Sequence, residues 1–139
     1  MTAFADSKTF ENLRTAFAGE AQANRRYLYF AREADDEGQF EVSGTLRAIA
    51  EVETAHAMRQ FDFMKPVSDP VTHVALPDLK GMIESAIKGE IYESSTMYPA
   101  FAGQAREEGF SDIAKWFEAV ADAEKIHVKA FQGILSKLK

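Results

Sequence analysis

Glu53-Thr54-Ala55-His56 and its second copy, Glu124-Lys125-Ile126-His127, decide how the rest of the chain is read. On a helix, side chains three apart share a face, so each copy points a carboxylate and an imidazole the same way. Both copies fall inside apolar stripes. Val42, Leu46, Ile49, Glu53, His56, Gln60 and Phe63 advance in steps of four and three, as do Ile113, Phe117, Val120, Glu124, His127, Phe131, Ile134 and Leu138. That period marks amphipathic helices, here over 41–64 and 111–138, whose apolar side is expected to face a core.

Outward from these, a first helix is expected over 7–37, capped by Asp6 or Ser7 and stopped by Gly38. Its stripe reads Phe10, Leu13, Phe17, Glu20, Asn24, Tyr27, Ala31, Ala34. A third helix, 77–108, opens with Pro77 as its first residue and Asp78 in its first turn, and stops at Gly109. Its stripe reads Leu79, Ile83, Ala86, Glu90, Glu93, Met97, Phe101. Between them, Lys65 to Leu76 holds Pro66, Pro70 and other turn-formers, and makes the one long connection. His73 lies there, where a solvated or surface-packed role is expected rather than a ligand role. No strand alternation occurs. The expected fold is all-α, a four-helix bundle with one long crossover between helices two and three, forming a single domain over 1–139.

The halves repeat each other. Gly38 aligns with Gly109, Glu53 with Glu124 and His56 with His127 at one common offset, whereas Gly19-Glu20 aligns with Gly89-Glu90 one residue short of it. One extra residue therefore sits between Glu90 and Phe101, near Pro99, which lacks a backbone donor. The expectation is a π-type bulge between Glu93 and Pro99; a regular α ladder through that span would refute it.

With 139 residues, 46% of them hydrophobic, the chain can build one real core. A net charge of -6 and the lack of any Lys/Arg cluster argue against nucleic acid or anionic membrane as partner. No run could span a bilayer, and the first residues do not resemble a signal peptide, so a cytoplasmic location is expected. Without cysteine there is no disulfide, no thiolate metal site and no cysteine nucleophile. Any metal must sit on oxygen and nitrogen.

Glu20, Glu53, Glu90, Glu93 and Glu124 all occupy stripe positions, and no stripe position offers a Lys or Arg. Uncompensated carboxylates there cost several kcal/mol each, so cations are the natural complement. One Glu from each of two helices plus Glu-x-x-His from each of two others is the di-iron or di-manganese carboxylate pattern. Hard carboxylates with His56 and His127 suit iron or manganese better than a tetrahedral structural zinc. Five ionised glutamates leave the same net charge with two divalent ions as with two trivalent ions and a bridging oxide. A redox step is thus allowed without charging the core.

At these residues the chain resembles the rubrerythrin family, specifically its ferritin-like di-iron domain in the short form lacking a rubredoxin domain. The resemblance is carried by Gly19-Glu20-Ala21-Gln22-Ala23-Asn24-Arg25-Arg26-Tyr27, both Glu-x-x-His motifs and Glu90-Ile91-Tyr92-Glu93-Ser94-Ser95-Thr96-Met97-Tyr98-Pro99. It implies two iron ions, oxo- or hydroxo-bridged when oxidised, with manganese or zinc as substitutes. Glu53 and Glu124 would bridge them, Glu20 with Glu93 or His56 would serve one, and Glu90 with His127 the other. Tyr27 and Tyr98 match tyrosines that hydrogen-bond around that site; core packing is the alternative for them.

The implied activity is reduction of hydrogen peroxide, or of dioxygen, with a separate rubredoxin-like or other reductase as electron donor. A homodimer is implied too, with exchange of helix pairs about Lys65 to Leu76 as one form. The rivals are ferritin-like iron oxidation and storage, and a metal-free helical interaction protein.

Overall fold

Ser7 starts the first helix. Its extended backbone (φ -88°, ψ 154°) lets Oγ accept from the Phe10 amide at 3.1 Å, and α1 runs Lys8–Asp36. Gly38 ends it: at φ 73° the chain turns so that Gly38 N–H donates to Asp35 O at 3.0 Å and Gln39 N–H to Ala34 O at 2.8 Å. α2, Phe40–Met64, then returns antiparallel to α1, with Arg47 meeting Asp35, Thr54 meeting Asn24 and Phe61 meeting Phe17 in turn. This computed structural model describes residues 2–138; Met1 and Lys139, the ends of the expected domain, lie outside the described residues.

The chain divides into two units between Pro70 and Val71, inside the long connection. In the first, a short 3-10 turn, Phe4–Asp6, sets Phe4 edge-on against Phe10, and Arg14 Nε donates to Pro70 O at 2.9 Å. The second contains α3, Leu79–Tyr92; a π segment, Glu93–Met97; α4, Tyr98–Glu107; and α5, Ser111–Leu135. Gly109, at φ 86°, repeats the turn made by Gly38, with Phe110 N–H donating to Ala105 O at 2.8 Å. No strand occurs among the described residues. The all-α class with one long connection between its second and third helical stretches is the class found among the described residues.

The repeat is legible in the packing. Ala31, Ala34, Ser43 and Ala50 are buried in the first unit; Ala102, Ala105, Ala114 and Ala121, at the common offset, are buried in the second. Small side chains at these places let paired helices approach closely. The cross-helix ion pair recurs with its charges exchanged. Arg47 donates to Asp35 at 2.6 Å; Arg106, at the place of Asp35, donates to Glu118, at the place of Arg47, also at 2.6 Å. Both pairs are half in solvent, where screening leaves each a small contribution to stability.

The bulge expected near Pro99 is present as the π segment Glu93–Met97, entered and left with right-handed helical dihedrals. Three expectations are corrected. Asp78, not Pro77, opens the third stretch: its backbone is extended (φ -155°) and its carboxylate caps the helix by accepting from Gly81 N–H at 2.8 Å. α5 ends at Leu135, and Ser136 Oγ donates back to Gly133 O, so the expected last helical residues form a turn. The stripes are less covered than expected: Val42, Ile49 and Phe63 are exposed, because α2 has α1 as its one helical neighbour within its unit.

Candidate metal centre

In the first unit α1 supplies Glu20, while α2 supplies Glu53 and His56 one turn apart. One ligand atom from each lies within 4.8 Å of the other two. His56 Nδ1 stands 3.6 Å from Glu20 Oε2 and 3.8 Å from Glu53 Oε1, beyond hydrogen-bond reach of both. Glu20 Oε2 is buried and has no hydrogen-bond partner. A cavity of about 540 Å³ opens beside Glu20 and Glu53, walled by Phe17, Met58 and Phe61.

In the second unit α3 supplies Glu90 and α5 supplies Glu124 and His127, again with ligand atoms within 4.8 Å of one another. This group is tied together. His127 Nδ1 lies 2.8 Å from Glu124 Oε2 and 3.3 Å from Glu90 Oε2. Burial, then the hydrogen bond and charge of Glu124, push the Glu90 carboxyl up to about 7. Glu124 is lowered, first by its hydrogen bond with Glu90. The hydrogen bond to Glu124 raises His127.

Six of the seven expected ligands thus stand in two groups. The carboxylates are half-buried, but both imidazoles are 53% exposed, a correction to the expectation that the stripes would enclose them. Glu93 stands outside the second group, its carboxyl raised by burial and by the charge of Glu124. Tyr98 is close enough that Glu93, Glu124 and Glu90, after burial, raise its hydroxyl, while its ring packs on Phe101 and Phe117. Tyr27 instead meets Phe30 and Arg26. His73 is exposed in the connection, at φ 63°.

Two polar residues stand in the sequence reading without a partner or a role. Asn24 Nδ2 donates to Ala50 O and to Thr54 Oγ1, both at 2.8 Å, across α1 and α2. Asn24 was visible as a stripe position, but nothing in its spacing names its partner.

The donor sets fit iron or manganese: oxygen and imidazole nitrogen only, two carboxylates to each imidazole, with a buried carboxylate oxygen lacking any other partner. The ion pairs of Glu20, Glu53, Glu90 and Glu124 are with His56 and His127. Among the described residues no helix is long and apolar enough to cross a membrane.

Residues 11–135 match the Rubrerythrin family model. Among curated relatives, the rubrerythrin of Nitratidesulfovibrio vulgaris is 37% identical over 144 residues, covering 100% of this chain and 75% of the relative. Rubrerythrin-1 of Clostridium acetobutylicum is 35% identical over 147 residues, covering 100% and 75%. The nigerythrin of N. vulgaris is 36% identical over 138 residues, covering 91% and 68%. A solved structure of nigerythrin in a mixed-valence state is 31% identical and covers 97% of this chain and 72% of that one, with a TM-score of 0.44.

Proposed function

This chain belongs to the rubrerythrin family, a membership that implies iron binding, and from that premise we propose that it is a di-iron oxidoreductase reducing hydrogen peroxide to water with electrons from a separate donor protein. The observation that carries the reading is the pair of Glu/Glu/His groups, one of them with a buried carboxylate oxygen that nothing else satisfies.

In this reading Glu20, Glu53 and His56 hold one iron, and Glu90, Glu124 and His127 the other, with Glu93 as a further carboxylate ligand. Iron held there would supply Lewis acidity and the two electrons that, with two protons, the conversion of hydrogen peroxide to two waters consumes. Tyr98, whose hydroxyl is kept protonated by burial and the three glutamates near it, donates a hydrogen bond to the bound oxidant. Tyr27 is proposed for the same kind of work beside the first ligand group. The reading includes a cytoplasmic homodimer, with helix-pair exchange about residues 65–76, and a rubredoxin-like or other reductase that returns the electrons.

The test is anaerobic loading with ferrous iron, followed by rapid mixing with hydrogen peroxide or dioxygen while visible absorption is recorded. Oxidation much faster with peroxide is expected; equal rates would make the protein an oxidase. Sizing by sedimentation separates a dimer from the many-subunit cage that iron storage requires.

A further inference from the structure

We propose that Asn24 and Thr54 are positioning residues: they form a polar clamp that fixes how Glu20 on α1 stands against Glu53 on α2. The inference rests on the metal-binding reading above and adds to it what holds the first ligand group in shape.

Asn24 lies one turn beyond Glu20 on the same face of α1. Its Nδ2 donates one hydrogen to Ala50 O and the other to Thr54 Oγ1, each at 2.8 Å. Thr54 Oγ1 closes the figure by donating to Ala50 O at 3.2 Å. These acceptors bracket Glu53, Thr54 following it directly and Ala50 preceding it by a turn. Two attachments from one planar amide resist both sliding and rolling of α1 on α2, where a single one would resist less. Ala50 is 1% exposed, and its small side chain lets the amide reach a backbone carbonyl. Asparagine is a poor helix former, and this cross-helix bond accounts for its place in the middle of α1.

The two ligand groups differ in the way this role requires. In the second, His127 is held by its own contacts to Glu124 and Glu90. In the first, the imidazole stands off from both carboxylates and Glu20 Oε2 has no partner, so the group does not hold itself. The repeat puts Ser94 or Ser95 where Asn24 stands, and Lys125 where Thr54 stands. Ser94 and Ser95 turn back to Ile91 O, at 3.2 and 2.5 Å, and Lys125 reaches Asp122, each within its own helical stretch. The clamp thus belongs to the unit with regular helices; its counterpart positions lie in and opposite the π segment.

The test uses the full chain and cobalt(II), added without oxygen, as the probe. Binding is followed by titration and visible absorption, and metal-free unfolding by circular dichroism. Wild type is expected to bind two cobalt ions per chain. Asn24→Ala and Thr54→Val are expected to weaken one of them by about 10- to 100-fold and alter its spectrum, leaving the other alone. Thr54→Ser, which keeps the hydroxyl, is expected to bind as wild type does. If both disrupting variants are folded and bind two ions with unchanged affinity and spectrum, losing only thermal stability, the pair is mere packing and the proposal falls. If Asn24→Ala does not fold, the near-isosteric Thr54→Val decides by the same criteria. Failure of the unmutated chain to bind cobalt would instead overturn the metal reading itself, and the clamp with it.

Discussion

At the scale of single residues, the 2.8 Å contact between His127 and Glu124 governs the charge state of the second ligand group. That hydrogen bond is the largest cause raising His127, and the same carboxylate, after burial, raises Glu90. One substitution should therefore move two groups. Glu124→Gln, in metal-free protein, is expected to lower the pKa of both His127 and Glu90, read by NMR titration of the imidazole and of carboxyl-labelled glutamate. An unmoved His127 would mean that the contact does not persist in solution. How much of this the sequence could reveal follows from what spacing encodes. A step of three fixes which face a side chain leaves from, so position alone brings Glu53 with His56 and Glu124 with His127 to one face of their helices. It does not encode the distance to a partner on another helix. The tight second group, the loose first one and the Asn24–Thr54 contact all depend on such distances.

At the scale of elements, the third helical stretch shows both kinds of information. Its π segment was legible because one unmatched residue in a repeat must go somewhere, and Pro99, with no N–H to give, lies just beyond it. Its start lies two residues later than the sequence suggests, because Pro77 suits a first helical position and Asp78 suits a cap, and only the extended φ of Asp78 decides between them. The cap brings α3 close against the connection: a Cβ on Gly81 would lie 3.0 Å from Ala75 O and 3.0 Å from Pro77 Cδ. Gly81→Ala is therefore expected to destabilise by about 1–3 kcal/mol, the usual cost of overpacking against backbone. Gly89, also in α3, would place its Cβ 3.7 Å from Thr72 Cγ2, an ordinary contact. Gly89→Ala should gain helix propensity and stabilise by about 0.5–1 kcal/mol. Asp78→Ala should cost about 1 kcal/mol through loss of the cap. Urea unfolding of the three variants checks all three signs, and a stabilising Gly81→Ala would show that the tight approach to residues 75–77 relaxes freely.

At the scale of the whole molecule, the ligand groups set how stability responds to pH. Glu90, with a folded pKa of about 7 against an ordinary 4.5, binds more proton when folded than unfolded between those values, so metal-free stability falls as pH rises through that window. Glu93 is raised too and acts in the same sense. His127 is raised above 6.5: its contribution is fully present below 6.5 and is lost as pH climbs through the folded value. Glu124 and Asp35 are lowered and run the other way, contributing above their ordinary values of 4.5 and 3.8 and losing that contribution as pH falls. The metal-free protein is therefore expected to be most stable near pH 5 and to lose melting temperature steadily towards pH 7.5. Metal reverses the trend, because a ligating carboxylate must be ionised and a ligating imidazole must be free of its second proton. Raising the pH exposes the very charges that a cation then compensates, so the difference in melting temperature between cobalt-loaded and chelator-treated samples should widen from pH 5 to pH 7.5. Thermal scans of both samples across that range decide it. A chelated sample that grows more stable with pH, or a gap that narrows, would mean that these glutamates meet solvent freely and are not held for a metal.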